Sequence, residues 1–266
     1  MKERQPVQSA YAAVNGINMY YEIYGQGNTN LLLVHGGGST IETSFGRLIP
    51  LLADHLKIIA VELQGHGRTN DRKGSESFEQ DAEDCIVLLQ QIGIKKTAVL
   101  GFSNGGNAAM QMADKQPALI DKLILASTFY KREGLPPGFF EGMAQATIDV
   151  MPQALKDGFL KWTPDERKLQ TMFEKDRNRM LHFEDWEDSI LTSITAPTLI
   201  VNGDQDVITT AHSVQMQQLI EGSRLLILPS VHGSYMGAAE SPPDKDYVLS
   251  FFAAMVNDFC LTKATH

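Results

Sequence analysis

Hydrophobic positions along this chain first follow the period of strands and then alternate between strand-like and helix-like stretches. Residues 11–14 and 19–24 read as two short strands around Asn15-Gly16, a dipeptide that supplies the positive φ angles of a tight hairpin turn. Residues 31–34 form a continuous apolar run that stops at Gly36-Gly37-Gly38, the pattern of a strand buried on both faces of a parallel sheet. The alternation then begins. Residues 41–55 carry helix-spaced apolar positions, 56–61 an apolar strand, and 78–92 an amphipathic helix with Ser77 as its N-cap. Residues 97–100 and 123–126 predict further strands, with a helix over 104–114 between them. Strands separated by helices require crossover connections, hence a mostly parallel sheet with helices on both faces.

Between residues 130 and 195 this rhythm fails. Phe139, Phe140, Met143, Trp162, Met172 and Trp186 are mixed with many charges, which short amphipathic helices accommodate and a strand or a long loop does not. The rhythm resumes with a strand over 198–201, a helix over 211–220, a strand over 225–228 and a final helix near 247–259. No internal repeat or low-complexity tract interrupts it.

The 266 residues fit one large domain, and the apolar share is enough for a sizeable core. A formal charge of -9 repels phosphate backbones and anionic lipid heads, so neither nucleic acid nor membrane is expected as a partner. The first residues, MKERQPVQSAYAAVNG, hold no apolar run that could serve a secretory signal, and nothing reaches the ~18 apolar residues of a membrane span. The expectation is a cytoplasmic protein, monomer or homodimer. Cys85 and Cys260 lie far apart without metal or redox spacing and are expected to be reduced packing residues.

The sharpest chemical signal is Gly101-Phe102-Ser103-Asn104-Gly105-Gly106, placed after an apolar strand and opening a helix. Glycines on both sides of Ser103 allow a tight strand-to-helix turn that holds the hydroxyl clear of the backbone. A Ser that merely caps the helix is the alternative. A serine hydroxyl needs a base. His232, in Leu228-Pro229-Ser230-Val231-His232-Gly233, follows the last apolar strand and so falls at the same carboxyl edge as Ser103, where parallel sheets bind ligands. Of the other histidines, His55 and His212 fall in helices, His182 in the irregular middle, and His266 is the last residue. The base needs a carboxylate to fix its tautomer. Asn202-Gly203-Asp204-Gln205-Asp206 offers two after a strand end; Asp206 is favoured for the imidazole, with Asp204 shaping the turn. Backbone N–H groups of Gly37, in His35-Gly36-Gly37-Gly38, and of Asn104 are the expected oxyanion donors. The glycine-rich loop could instead cradle a phosphate, but no GxGxxG or GK[ST] pattern accompanies it. Glu62-Leu63-Gln64-Gly65-His66-Gly67-Arg68-Thr69 reads best as a structural loop with His66 hydrogen-bonded to backbone.

Taken together, the HGGG loop, the GHGRT loop, the GFSNGG turn, the GDQD turn and the SVHGS turn resemble, in that order and over nearly the whole chain, the α/β-hydrolase superfamily. The resemblance implies an α/β fold with an eight-stranded, mostly parallel sheet. Residues 1–129 and 196–266 would form the core and 130–195 a helical cap inserted after the sixth strand. It implies a serine hydrolase of carboxylesterase or lactonase type, with catalytic Ser103, Asp206 and His232 and an acyl-enzyme on Ser103. Ser103 stands where dehalogenases and epoxide hydrolases of this fold carry Asp, which disfavours those chemistries. Carbon–carbon bond hydrolysis by the same triad, and a small-molecule receptor on the same fold, remain as alternatives. Gly38, Phe139, Trp186 and Tyr235 are the expected pocket residues for a small to medium apolar ester-like substrate. No cofactor is needed, and no HExxH or other metal spacing occurs. The loop that begins with Asp and has Arg before Gly in the family carries Glu62 and Gln64 here.

Overall fold

The computed structural model describes residues 4–262. Its centre is one eight-stranded sheet in the order β1-β2-β4-β3-β5-β6-β7-β8. β1 (Gln8–Val14) and β2 (Ile17–Tyr24) form an antiparallel hairpin, and β2 runs antiparallel to β4 (Lys57–Val61). Asn15 and Gly16 both take positive φ at the hairpin turn, as the sequence requires. The remaining pairings, among β3 (Asn30–Val34), β4, β5 (Thr97–Phe102), β6 (Ile120–Ala126), β7 (Thr198–Gly203) and β8 (Arg224–Leu228), are parallel.

Alternate side chains of the central strands feed two separate cores. Leu32 and Val34 of β3 point into the core covered by α3 (Phe78–Gln91) and α4 (Asn104–Lys115). Leu31 and Leu33 point into the opposite one, which contains α1 (Ile41–Phe45), α2 (Ile49–Leu52) and the last helix of the chain. Both faces are buried, which explains why these strands read as unbroken apolar runs. Ser77 caps α3 by accepting the Gln80 N–H.

The single helix expected over residues 41–55 is two short ones. Gly46 ends α1, and Pro50, which cannot supply an interior helical N–H, opens α2 in the first turn where none is needed. Between β6 and β7 the chain forms α5 (Phe139–Gln145), α6 (Gln153–Trp162), α7 (Glu166–Leu181) and α8 (Ser189–Thr192). These helices carry two small apolar clusters of their own, one around Met151, Phe159 and Met172, the other joining Phe183 to Phe78 and Phe129 of the main body. α9 (Thr210–Leu219) and α10 (Asp246–Leu261) complete the fold. Buried Lys122 of β6 donates to the carbonyls of Phe259, Cys260 and Thr262, placing a cation where the α10 dipole is negative. Cys85 and Cys260 are free and buried. No described helix is long and apolar enough to cross a membrane.

This topology fixes where chemistry can occur. The chain reverses its order of strand addition at β3, which lies between β4 and β5, and the loops after β3 and β5 open at the carboxyl edge beside that reversal. The loops after β6, β7 and β8 leave from the same edge.

Candidate active site

Ser103 sits alone between β5 and α4 with φ 53° and ψ -123°, a conformation a non-glycine residue rarely adopts. Such strain persists where the surroundings over-determine it. Here they do: a Cβ on Gly105 would lie 2.2 Å from the Val34 carbonyl oxygen, and one on Gly101 2.3 Å from that of Gly105. The two glycines thus let β3, β5 and α4 close up beneath the turn. Its apex presents the Ser103 hydroxyl.

Three loops converge there. The Ser103 hydroxyl lies 3.2 Å from His232 Nε2, within reach of donating to it. His232 Nδ1 donates to Asp206 Oδ1 at 2.7 Å. Asp206 also accepts the Ile208 N–H on Oδ1 and the Ser127 hydroxyl on Oδ2, at 3.0 and 2.6 Å. Ser127 in turn receives the Tyr235 hydroxyl at 2.7 Å. Burial would raise the Asp206 pKa, but the His232 and Ser127 hydrogen bonds outweigh it and hold the carboxyl below its usual range. For His232, burial disfavours the charge, yet Asp206, and then Glu240, lift its pKa above the ordinary histidine value. The imidazole stacks at a tilt on Phe102, ring centroids 4.9 Å apart, which limits its rotation. Asp204 plays the part expected of it, shaping the turn by accepting the Ser230 N–H at 3.0 Å.

Gly37 and Asn104 border the same space as this hydroxyl. Neither N–H donates to another group among the described residues. A Cβ at position 37 would lie 2.6 Å from the Asn104 side-chain amide and 3.1 Å from Asp176 Oδ2, so a larger residue there would have to displace these side chains. The Gly38 N–H is engaged: it donates at 2.6 Å to Asp176 Oδ2, a carboxylate from α7.

A cavity of about 620 Å³ opens over Ser103. Gly37, Gly38, Asn104, His232 and Phe139 line it, with Met143, Leu155 and Met172 from the helices between β6 and β7. Two of the expected pocket residues lie elsewhere. Trp186 packs against Phe78 and Phe183 and borders a separate, larger groove of about 820 Å³ that contains none of the groups above. Tyr235 is wholly buried beneath the His232 turn, against Phe252. Its hydroxyl supports Ser127 instead of meeting the cavity.

Three residues here escaped the sequence reading: Ser127, Asp176 and Glu240. Asp176 accepts from His66 Nε2 at 3.0 Å and pairs with Arg179, which also binds Asp81 at 2.6 Å. Burial works to raise the Asp176 pKa, but the His66 and Arg179 charges outweigh it and depress it well below the carboxylate range. Burial likewise opposes the His66 charge, and Asp176 overcomes that, pushing its pKa up to about 9. His66 Nδ1 donates to the Gln64 carbonyl at 2.8 Å, the backbone bond expected of it. Its neighbour His35 donates from Nδ1 to the Gly36 carbonyl at 2.7 Å but meets no carboxylate among the described residues, and burial pushes it down to about 3, so it stays neutral and its Nε2 accepts the Leu63 N–H. A charged network therefore ties α7 to the loops after β3 and β4. Removing one member leaves buried charges unpaired, which typically costs about 3–5 kcal/mol. Arg179→Met is expected to lower unfolding stability by about that amount. Urea denaturation should show a lower midpoint with unchanged slope; a loss under about 1 kcal/mol would remove the tie from the account. Of the other histidines, His55 is exposed, His182 binds the Asn178 carbonyl, His212 stacks on Tyr130, and His266 lies outside the described residues.

Comparison with known proteins agrees with this fold. A family profile described as alpha/beta hydrolase fold matches residues 29–151. The chain is 29% identical over 246 residues to Serine hydrolase BPHL of Mus musculus, spanning 84% of this chain and 79% of that protein. It is 26% identical over 246 residues to the pimeloyl-(acyl-carrier protein) methyl ester esterase of Nitrosospira multiformis, spanning 80% and 90%. In fold it is similar to a meta-cleavage product hydrolase from Pseudomonas fluorescens IP01, with a TM-score of 0.74 over 96% of this chain and 97% of that one at 19% identity. The chain has the α/β-hydrolase fold, and the relatives it resembles in sequence are hydrolases.

Proposed function

We propose that this protein hydrolyses an ester-like bond, of carboxylesterase or lactonase type, in a small to medium apolar substrate through an acyl-enzyme on Ser103. The observation that carries this reading is one imidazole, His232, lying between the Ser103 hydroxyl and the Asp206 carboxylate at the floor of a largely apolar cavity. As Ser103 Oγ bonds to the carbonyl carbon, its proton passes to His232 Nε2 and the carbonyl π pair moves onto oxygen. The Gly37 and Asn104 N–H groups receive that oxyanion, each such donor contributing about 2.7–4 kcal/mol to lowering the barrier. Collapse breaks the carbon–oxygen bond, and the Nε2 proton leaves with the alcohol. Water then repeats the sequence on the acyl-enzyme and frees the acid. Asp206 holds the Nδ1–H tautomer throughout and stabilises the imidazolium. A serine hydrolase and a methyl ester esterase among the relatives support this class of chemistry.

Helices α5 to α7 act as a cap in this reading, since Phe139, Met143, Leu155 and Met172 provide much of the apolar wall over the serine. Chain-length preference should then lie in the cap. A series of p-nitrophenyl esters from acetate to decanoate, run beside lactones and thioesters, tests both points. Turnover is expected with the shorter esters, and Phe139→Ala should move the optimum towards longer acyl chains by roughly severalfold in relative kcat/KM, the scale of one to a few methylenes in an apolar pocket. Absence of turnover across the whole panel would overturn the proposed activity. An unchanged preference would remove Phe139 from the pocket wall.

A further inference from the structure

The imidazole of His232 has a second carboxylate beside it. Glu240 Oε1 lies 3.5 Å from Nε2, the nitrogen that faces Ser103, while Asp206 holds the opposite nitrogen. Glu240 is not a surface residue that happens to approach. Its side chain is 12% exposed, it lines the cavity over Ser103, and its other oxygen accepts the hydroxyl of buried Ser39 at 3.3 Å. Its loop is anchored on both sides. The Ala239 N–H donates to the Thr43 carbonyl at 2.8 Å, the Ser234 hydroxyl donates to the Pro242 carbonyl at 2.5 Å, and the Ser230 hydroxyl donates to Asp244.

We infer that Glu240 is a positioning residue for the reaction, a second anionic partner that stabilises the His232 imidazolium from its Nε2 side. The inference rests on the serine mechanism proposed above. With the imidazole neutral, the Nε2 lone pair faces carboxylate oxygens and the contact is unfavourable. When Nε2 has taken the Ser103 proton, the same contact joins a cation to an anion in a site that excludes much of the water. The interaction therefore changes sign between the resting state and the tetrahedral intermediate, and an interaction stronger in the transition state than in the ground state accelerates the chemical step. Asp206 differs in this respect, because it holds the Nδ1–H in both states.

The charged and titratable groups around the pair are few. Asp206 and Ser103 face His232, Ser39 and His232 face Glu240, and Asp176 and Arg177 of α7 line the same cavity. Burial pushes the Glu240 carboxyl towards its neutral form, while His232 and the Ser39 hydroxyl pull it back. Its charge is thus best supported when His232 is itself charged.

The pH profile separates this role from simple loop packing. Neutral His232 is the base, so activity rises with pH through the His232 pKa. Glu240 helps to raise that pKa. Removing its charge should move the acid limb of kcat/KM to lower pH and, at the plateau, lower kcat. Glu240→Gln is expected to shift the acid limb down by about one unit and to cut plateau kcat about tenfold, since one unit corresponds to a tenfold change in the protonation equilibrium. Glu240→Ala should shift the limb in the same direction. A second measurement does not need turnover: NMR titration of the His232 ring in the Ser103→Ala protein, with and without Glu240→Gln, should show the same downward shift. An acid limb and a ring titration both unmoved by the loss of Glu240 would overturn the inference. The hydrolase reading stands or falls separately, on whether the unaltered protein turns over esters and the Ser103→Ala protein does not.

Discussion

Replacing Ser103 by Ala is expected to lower kcat on a short p-nitrophenyl ester by on the order of 10⁵–10⁶-fold while leaving the melting temperature within a few degrees of the starting protein. The size follows from what is lost. Without Oγ no acyl-enzyme can form, and His232 and Asp206 have no attached nucleophile to activate. The remaining Gly37 and Asn104 N–H groups can still polarise a bound carbonyl, which leaves a residual rate above that of water. The fold should tolerate the change because the hydroxyl supports no other element: Ser103 gives α4 no side-chain cap. Alanine does inherit the positive φ of Ser103, but Ser pays that strain already. Steady-state kinetics beside thermal unfolding decide the point. Full activity in a folded Ser103→Ala protein would refute the proposed chemistry. A large drop in melting temperature would instead make the serine a structural element of the turn.

Much of this site can be read from sequence because parallel strands and their end loops are written locally. β3, β5 and β7 are buried on both faces, so each appears as an apolar run, and each run stops where its loop must leave the sheet. Ser103, Asp206 and His232 all lie within a few residues of such an end. Their meeting follows from one sheet edge. The residues that escaped reading are those whose roles depend on docking between distant segments. Asp176 stands in the helix ERKLQTMFEKDRNRML among many charges, and nothing local distinguishes the acid that turns inward to Gly38 and His66 from those facing water. Ser127 follows β6 and carries no ionisable group, so its support of Asp206 has no signal beyond its position. Trp186 and Tyr235 show the opposite error. A large aromatic ring near a site suits a pocket wall and an interior equally well, and both rings pack inward here. The helix over residues 41–55 failed for a local reason, since its apolar spacing continues through Gly46 and Pro50, which break the backbone beneath it.

The second large effect concerns Asp206. Asp206→Asn keeps the volume and one carbonyl oxygen but removes the charge, and it is expected to cut kcat by about 10⁴-fold at neutral pH. The cause is the tautomer. The carboxylate accepts on both oxygens: Oδ1 takes the His232 Nδ1–H and the Ile208 N–H, and Oδ2 takes the Ser127 hydroxyl. In the amide one of these atoms becomes an NH₂ donor. If the amide oxygen remains towards Ser127, the NH₂ faces Nδ1, favours a lone pair there and moves the ring proton to Nε2, where it blocks removal of the Ser103 proton. If the amide turns round, its NH₂ meets Ser127, whose hydroxyl must then reverse against the Tyr235 hydroxyl that already donates to it. Both arrangements lose the anion that stabilises the imidazolium. Asp204→Asn is the control two residues away: its side chain only accepts the Ser230 N–H, a bond an amide oxygen can keep, so kcat should stay within about tenfold. Kinetics of the two variants side by side, with the downfield Nδ1 proton resonance of His232 followed by NMR, distinguish them. Equal losses in both would mean that the loop geometry, and not the charge at position 206, is what the chemistry requires, whereas loss of rate and resonance in Asp206→Asn alone ties the activity to one carboxylate holding one proton in place.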